Sequence, residues 1–199
     1  MLSKMAVTRL SHDLAGVIGA VSNSLELLAE METTDAESLR LAQDGAECLV
    51  SRLTFFRQAY GNDGAVTNAD MTGRVLKAYL HTLENKALKY ECVFDVDAEV
   101  PLFVLRLALL AGQICSDSLV RGGKIDIKAK AGAKRLTVKA VGEKIKIEQE
   151  TAALLNKENA DISSPRQTGA ALAAITARDN KWRVVFTCTE NEMSLEFFA

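Results

Sequence analysis

Apolar residues in the first third of the chain recur with the spacing of α-helices. One stripe, at steps of four and three residues, comprises Leu10, Leu14, Val17, Val21, Leu25 and Leu28. A second stripe comprises Leu39, Ala42, Ala46, Leu49, Val50, Leu53 and Phe56. This spacing places each set on one face of a helix. Thr34 and Glu37 form a capping box that predicts where the second helix begins, and Gly61-Asn62-Asp63-Gly64 predicts its end.

These two helices predict an antiparallel hairpin that cannot enclose a core by itself. Each apolar stripe needs another layer of structure to cover it. A second copy of the chain would supply that layer as a four-helix bundle, whereas the alternative is packing against the chain's own C-terminal half. The length of the stripes favours the dimer.

The remainder of the chain alternates between helical and strand patterns. Helices are predicted over Asp70 to Lys86 with Asn68 or Asp70 as N-cap, Leu102 to Leu119 after Pro101, Glu150 to Asn156, and Ser164 to Ala177. Strands are predicted over Glu91 to Asp97, Lys124 to Lys130, Arg135 to Val141, Lys144 to Ile147, Trp182 to Cys188 and Met193 to Phe198, the last two joined by a Glu190-Asn191 turn. This order is typical of an α+β sandwich, with one sheet and helices on one face. We divide the chain into a helical hairpin, residues 1–64, and an α/β sandwich, residues 65–199.

The composition of the chain argues against several classes of function. The chain has 199 residues, is 48% hydrophobic and has a net charge of −2, so a basic nucleic-acid-binding face is not expected. Its four cysteines include no CxxC pair and it has two histidines, which argues against a structural zinc site and against a disulfide framework. The N-terminal segment has no signal-peptide core, and the longest apolar run, Leu102 to Ile114, is too short to cross a bilayer. We therefore expect a cytoplasmic protein without a membrane partner.

Of the two histidines, His12 has the more unusual surroundings. His81 occupies an ordinary helical position among apolar neighbours. On a helical wheel His12 lies about 200° from Leu10, opposite the apolar stripe. Gly16, Gly19 and Asn23 fall on the same side. A glycine inside a helix costs roughly 1 kcal/mol relative to alanine. That cost has a rationale where the backbone of a partner must approach closely, although a solvated histidine beside tolerated glycines would give the same pattern.

A single exposed imidazole restricts the possible chemistry. No serine, cysteine or second histidine lies near His12 in sequence to complete a catalytic triad, and a metal site needs further ligands. Reversible phosphorylation needs only one neutral imidazole, which is a competent nucleophile at the pH of the cell. Asp13 would either accept the proton of the other ring nitrogen and fix the tautomer, or be an ordinary surface carboxylate.

The segment from Ser11 to Leu28 resembles the phosphoacceptor helix of the ChpT-type bacterial histidine phosphotransferases, whose layout is that of histidine kinases. The family pattern is approximately HDL-x-x-P-x-GAI-x-NG-x-ELL. A further match is the RLTFFRQAYG segment that ends the second helix, and a weaker one is the VRGG segment before a strand. Val17 stands where the family has proline and Ser24 where it has glycine, so the kink that the proline would cause is expected to be absent.

The resemblance implies a dimeric four-helix bundle followed by a degenerate histidine-kinase ATP-binding domain. Kinases of this layout use an asparagine-bearing helix, an Asp-x-Gly-x-Gly loop and a glycine-rich lid to hold nucleotide. Here the corresponding helix offers only Gln113 and Asp117, the loop is Gly142-Glu143-Lys144, and Gly169 alone remains near the last helix. A phosphate cradle needs several glycines, so no bound nucleotide or other cofactor is expected.

The implied function is that of a phosphorelay intermediate. His12 would exchange a phosphoryl group with the aspartates of response-regulator receiver domains, including that of a hybrid kinase, and Mg²⁺ would belong to the receiver. We expect the docking surface to comprise Gly16, Gly19, Ala20 and Asn23. Arg52 and Arg57 are steering candidates, although both are also ordinary flanking residues. The alternatives are a non-catalytic dimeric scaffold and a true ATP-dependent histidine kinase.

Overall fold

The structure, a computed structural model, describes residues 1–30, 36–61, 65–156 and 162–199. The predicted Thr34–Glu37 capping box and residues 62–64 of the turn after the second helix therefore lie outside the described residues, in whole or in part. Within these ranges, no helix combines the length and apolar character needed to cross a membrane.

The N-terminal pair of helices forms the predicted hairpin. Helix α1 covers Leu2–Glu30 and helix α2 covers Ala36–Tyr60, and the two pack along their length. Their direction is antiparallel, because Arg52 contacts the backbone of Asp13 while Gly45 lies against Val21. Helix α1 is unbroken at Val17, as the absence of proline predicts.

The second part of the chain is a mixed five-stranded sheet. Its strands are β1 (Lys89–Val96), β2 (Gly122–Ala129), β3 (Arg135–Val141), β4 (Arg183–Cys188) and β5 (Glu192–Phe198), in the order β1-β2-β3-β5-β4. Only β1 and β2 are parallel among these neighbouring pairs; the others are antiparallel. A parallel pair needs a long crossover, which helix α4 (Leu102–Ser118) supplies.

One face of the sheet packs on helices and the other meets solvent. The remaining helices are α3 (Ala69–His81), α5 (Gln149–Asn156), a 3-10 helix (Pro165–Gln167) and α6 (Thr168–Asp179). Alternate residues of β2 and β3 are buried, as period-two patterning requires. Helix α4 is buried on nearly every side, because it lies between the sheet, α6 and the end of α2. The predicted α+β class is therefore confirmed.

The sequence prediction differs most from the structure in three segments. Helix α3 ends at His81 rather than Lys86, because the Thr82 hydroxyl donates to the carbonyl of Tyr79 and the side chain of Asn85 accepts backbone hydrogen bonds in the following turn. The alternating segment 144–147 is not a strand: it makes an isolated bridge from Ile145 to Leu119. The last predicted helix begins as the 3-10 helix and extends to Asp179.

The C-terminal end of α2 is anchored in the same hydrophobic core as the sheet. Phe55 and Phe56 belong to the cluster of buried residues that includes α4 and the inner face of the sheet. The Phe55 ring stacks on Tyr79 of α3, with ring centroids 3.8 Å apart and planes at 13°. This packing holds the hairpin against the α/β sandwich and sets where α1 lies relative to α4.

Candidate functional site

His12 lies on the outward face of α1. Its side chain is 85% exposed, and its Nδ1 is 3.6 Å from Oδ1 of Asp13. This separation is longer than a hydrogen bond but close enough for the carboxylate to favour a proton on Nδ1. Of the two ring nitrogens, Nδ1 is therefore the one turned towards Asp13.

The carboxylate of Asp13 is held by a buried arginine. Arg9 lies one turn earlier on α1, and its Nε donates to Oδ2 of Asp13 at 2.5 Å. The Nη2 of the same guanidinium donates to Oδ1 of Asp117, near the end of α4, at 2.9 Å. Burial alone would lower the pKa of Arg9, but the two carboxylates outweigh burial and raise it, so the group stays charged. A charged bridge therefore joins α1 to α4 next to His12.

Arg52 makes a second link at the same level of the hairpin. Its Nη1 donates to the backbone oxygen of Asp13 at 2.5 Å, and its Nε and Nη2 donate to the hydroxyl and carbonyl oxygens of Thr82, just after α3. Arg52 therefore ties α2 to α1 and to the end of α3. Arg57, the other steering candidate, is exposed in the last turn of α2.

The predicted docking residues lie along the surface of α1 that follows His12. Gly16, Gly19, Ala20 and Asn23 are all exposed. Beyond its chain neighbours and the backbone of its own helix, a methyl group built on Gly16 or Gly19 would meet no described atom within 4 Å. The packing of the chain therefore gives no reason for glycine at either position.

A cleft of about 840 Å³ separates the first turns of α1 from the α/β sandwich. Its walls carry His12, Asp13 and Arg52 on the hairpin side and Asp117, Lys146 and Arg166 on the sandwich side. Sequence reasoning missed Arg9, Lys146 and Arg166. Of these three residues, only Arg9 could have been found from the sequence, because it lies four residues before Asp13 and this spacing pairs opposite charges on one helix face.

The two residues that sequence analysis considered as substitutes for nucleotide ligands both make contacts within the chain. Gln113 is buried, and its Oε1 accepts a hydrogen bond from the Tyr60 hydroxyl at 3.0 Å. Burial raises the pKa of Tyr60, which keeps this phenol a donor. Gly169 packs so closely on Gln113 that an added methyl group would lie 2.9 Å from Oε1. Asp117 is paired with Arg9. Among the described residues, no cluster of three His, Cys, Asp or Glu side chains is placed to hold a metal ion.

Known proteins provide a comparison for this arrangement. A search of curated proteins gives no match for the chain. Among solved structures, a bacterial phosphotransferase superposes with a TM-score of 0.80 at 19% identity, covering 98% of this chain and 95% of the other. The histidine kinase AdeS of Acinetobacter baumannii gives a TM-score of 0.47 at 13% identity, covering 94% of this chain and 95% of that one. The blue-light activated histidine kinase of Erythrobacter litoralis gives 0.47 at 14%, covering 94% of this chain and 58% of that one.

A match to a family model shows which protein family the chain belongs to. The model described as "Histidine phosphotransferase C-terminal domain" matches residues 73–192, which is more than half of the chain. The matched region runs from α3 to the start of β5 and so contains strands β1 to β4, α4 and Asp117. The chain belongs to the histidine phosphotransferase family defined by that domain.

Proposed function

We propose that this protein is a cytoplasmic histidine phosphotransferase of a bacterial two-component phosphorelay. In this proposal His12 accepts a phosphoryl group from the aspartate of one receiver domain and passes it to the aspartate of another. The observation that carries the proposal is the ring of His12, 85% exposed on α1 with Nδ1 turned towards Asp13. The family relationship supports phosphotransfer chemistry at a histidine.

The transfer step requires only the imidazole and its neighbour. The lone pair of Nε2 attacks the phosphorus of the receiver's aspartyl phosphate, and the bond from phosphorus to the aspartate oxygen breaks. The receiver recovers its carboxylate, and the positive charge that develops on the ring is stabilised by the negative charge of Asp13 beside Nδ1–H. The reverse reaction, with a second receiver's carboxylate as nucleophile, returns the ring to its neutral form.

The proposed docking surface is the part of α1 that follows His12, comprising Gly16, Gly19, Ala20 and Asn23. Its glycines allow the backbone of a receiver to approach α1 closely, which explains residues that the packing of this chain does not require. Arg57 is exposed at the end of α2 and supplies a positive charge towards an acidic receiver site.

The chain would need no ATP. Its candidate phosphate and magnesium ligands, Gln113 and Asp117, are engaged by Tyr60 and Arg9. The test is to incubate the protein either with radiolabelled ATP alone or with a receiver domain carrying labelled aspartyl phosphate. We expect acid-labile label on this chain only in the second case. Label from ATP alone would establish a histidine kinase, and no label from any receiver of the source cell would favour a scaffold.

The hairpin surface supports the proposed homodimer. The apolar residues Val7, Ile18 and Leu25 are 62%, 51% and 53% exposed, and they lie within about 20° of one another on the α1 wheel. Helix α2 has a matching exposed stripe, which comprises Leu39, Ala46, Val50 and Leu53. Two aligned apolar stripes on one hairpin are the surface that a second copy would cover in a four-helix bundle.

A charge placed in this surface is expected to weaken the dimer. Leu25→Glu and Leu53→Glu, made separately, would each bury an unpaired carboxylate twice in a symmetric interface. Because such burial costs at least about 1–3 kcal/mol, the dissociation constant should rise at least about tenfold. Analytical ultracentrifugation over a concentration series measures it. Val185→Glu, at a residue 46% exposed on β4, is the matched control and should leave the constant unchanged. A monomeric wild-type protein would contradict the dimer.

A further inference from the structure

The side chains of Asp117, Arg9, Asp13 and His12 form a continuous line from α4 to the exposed ring. Asp117 Oδ1 accepts from Arg9 Nη2 at 2.9 Å, Arg9 Nε donates to Asp13 Oδ2 at 2.5 Å, and Asp13 Oδ1 lies 3.6 Å from His12 Nδ1. The exposed fractions along the line are 34%, 9%, 19% and 85%. The arginine is thus the least accessible member, and the histidine is the most accessible.

Arg9 divides its donors between two carboxylates. An arginine beside one carboxylate prefers a bidentate arrangement, in which Nε and one terminal nitrogen each donate to one oxygen of the same carboxylate. Here Nη2 directs a hydrogen bond at Asp117, and Arg9 binds Asp13 through Nε alone and only at Oδ2. The other oxygen of Asp13, Oδ1, is left to face Nδ1 of His12.

We propose that Asp117 is a positioning residue for the phosphoacceptor: by holding Nη2 of Arg9, it keeps Oδ1 of Asp13 directed at His12 Nδ1. Without Asp117, Arg9 turns both Nε and Nη2 to Asp13, and Oδ1 leaves the histidine. The proton of the neutral ring then moves to Nε2, the nitrogen that must attack phosphorus. This inference rests on the proposed function and gives the family's C-terminal domain a part in the chemistry at His12.

Other charged groups around this line do not replace Asp117. Arg52 donates to the backbone oxygen of Asp13 and leaves the carboxylate oxygens untouched. Arg166 lines the sandwich side of the cleft and acts on Asp117 electrostatically, which tends to lower the pKa of that carboxyl. Asp117 is therefore the group that decides how many oxygens of Asp13 Arg9 can bind.

The first test is spectroscopic and needs no receiver. The chain has two histidines, so a His81→Gln background leaves His12 as the single ring in a protein labelled with isotopic nitrogen on histidine. At a pH where the ring is neutral, nitrogen chemical shifts give the share of the Nδ1–H tautomer. We expect this share to fall from wild type to Asp117→Asn and further to Asp117→Ala, because asparagine retains a weaker acceptor. An unchanged tautomer share in Asp117→Ala overturns the proposal.

The second test is kinetic and uses the full chain with a phosphorylated receiver domain. Asp117→Ala should lower the single-turnover transfer rate at saturating receiver about tenfold, a part of the 10²–10⁴-fold usual for acid–base assistance. The half-saturating receiver concentration should stay the same, because Asp117 lies outside the docking surface. Asp179→Ala, at a carboxylate 64% exposed, is the control and should transfer normally.

A double substitution separates positioning from general damage. In an Asp13→Asn background, Asp117→Ala should slow transfer no further, because the carboxylate that it positions is already gone. Additive losses would show that Asp117 acts by another route and would overturn the proposal. If wild type accepts no phosphate, the proposed function fails, while the tautomer measurement still decides whether Asp117 orients the ring.

Discussion

Replacing His12 with glutamine is expected to abolish phosphoryl transfer to the protein. Glutamine keeps a polar side chain of similar reach on the exposed face of α1, but its amide nitrogen has no available lone pair to attack phosphorus. Since the ring is 85% exposed, its loss should leave folding intact. Acid-labile label from a phosphorylated receiver, measured by gel after short incubation, should fall to background.

His81→Gln is the matched control for that experiment. His81 is 81% exposed at the end of α3, where its Nδ1 lies 3.0 Å from Glu84. The two histidines thus share exposure and a nearby carboxylate, but only His12 adjoins the glycine-bearing surface. His81→Gln should accept label at the wild-type rate. Label that persists on His12→Gln, or disappears with His81→Gln, would move the phosphoacceptor to another residue.

The architecture was predictable from sequence because its elements are strongly periodic. The heptad-like stripe of α1 specifies a helix, and β2 and β3 alternate between buried and exposed positions as the sequence does. Strand β3 spans Arg135–Val141 as predicted. The class of the fold follows from the order of these elements, since strands and helices mixed in this way form one sheet with helices on one face.

The boundaries that differ from the prediction are set by a few local hydrogen bonds. The helical pattern continues past His81, but the hydroxyl of Thr82 and the side chain of Asn85 bind the backbone and end the helix there. Segment 144–147 alternates like a strand, yet Ile145 pairs with Leu119 at the end of α4 and not with the sheet. The periodicity of a segment indicates which of its faces is apolar, but it does not indicate which neighbouring segment forms hydrogen bonds with its backbone.

The candidate site was predictable only as far as it is local in sequence. His12, Asp13 and the exposed glycines lie within three turns of one helix, so a helical wheel places them together. The contact between Arg9 and Asp117 spans 108 positions of the chain, and that between Tyr60 and Gln113 spans 53. Such pairs depend on how α1 and α2 pack against α4, which the pattern of one helix does not contain.

Substituting methionine for Arg9 is expected to destabilise the protein by about 3 kcal/mol. Arg9 is 9% exposed and satisfies two carboxylates, so its removal leaves Asp13 and Asp117 without the cation that joins them. Breaking a buried ion pair by deleting one partner costs about 3–5 kcal/mol. The expected loss of stability for Arg9→Met lies at the lower end of this range, because water reaches Asp117, which is 34% exposed. Urea unfolding followed by circular dichroism at fixed protein concentration measures the loss.

Arg74→Met is the control that distinguishes the loss of a buried, paired arginine from the loss of any paired arginine. Arg74 also pairs with a carboxylate four residues away, Asp70, but the two side chains are 72% and 78% exposed. An exposed pair of this kind contributes about 0–1 kcal/mol, so Arg74→Met should change stability by at most about 0.5 kcal/mol. Adding Asp117→Leu to Arg9→Met should recover part of the loss, because it removes one stranded charge. Equal effects of Arg9→Met and Arg74→Met would mean that Arg9 is solvated, and the bridge between α1 and α4 would then lose its structural role.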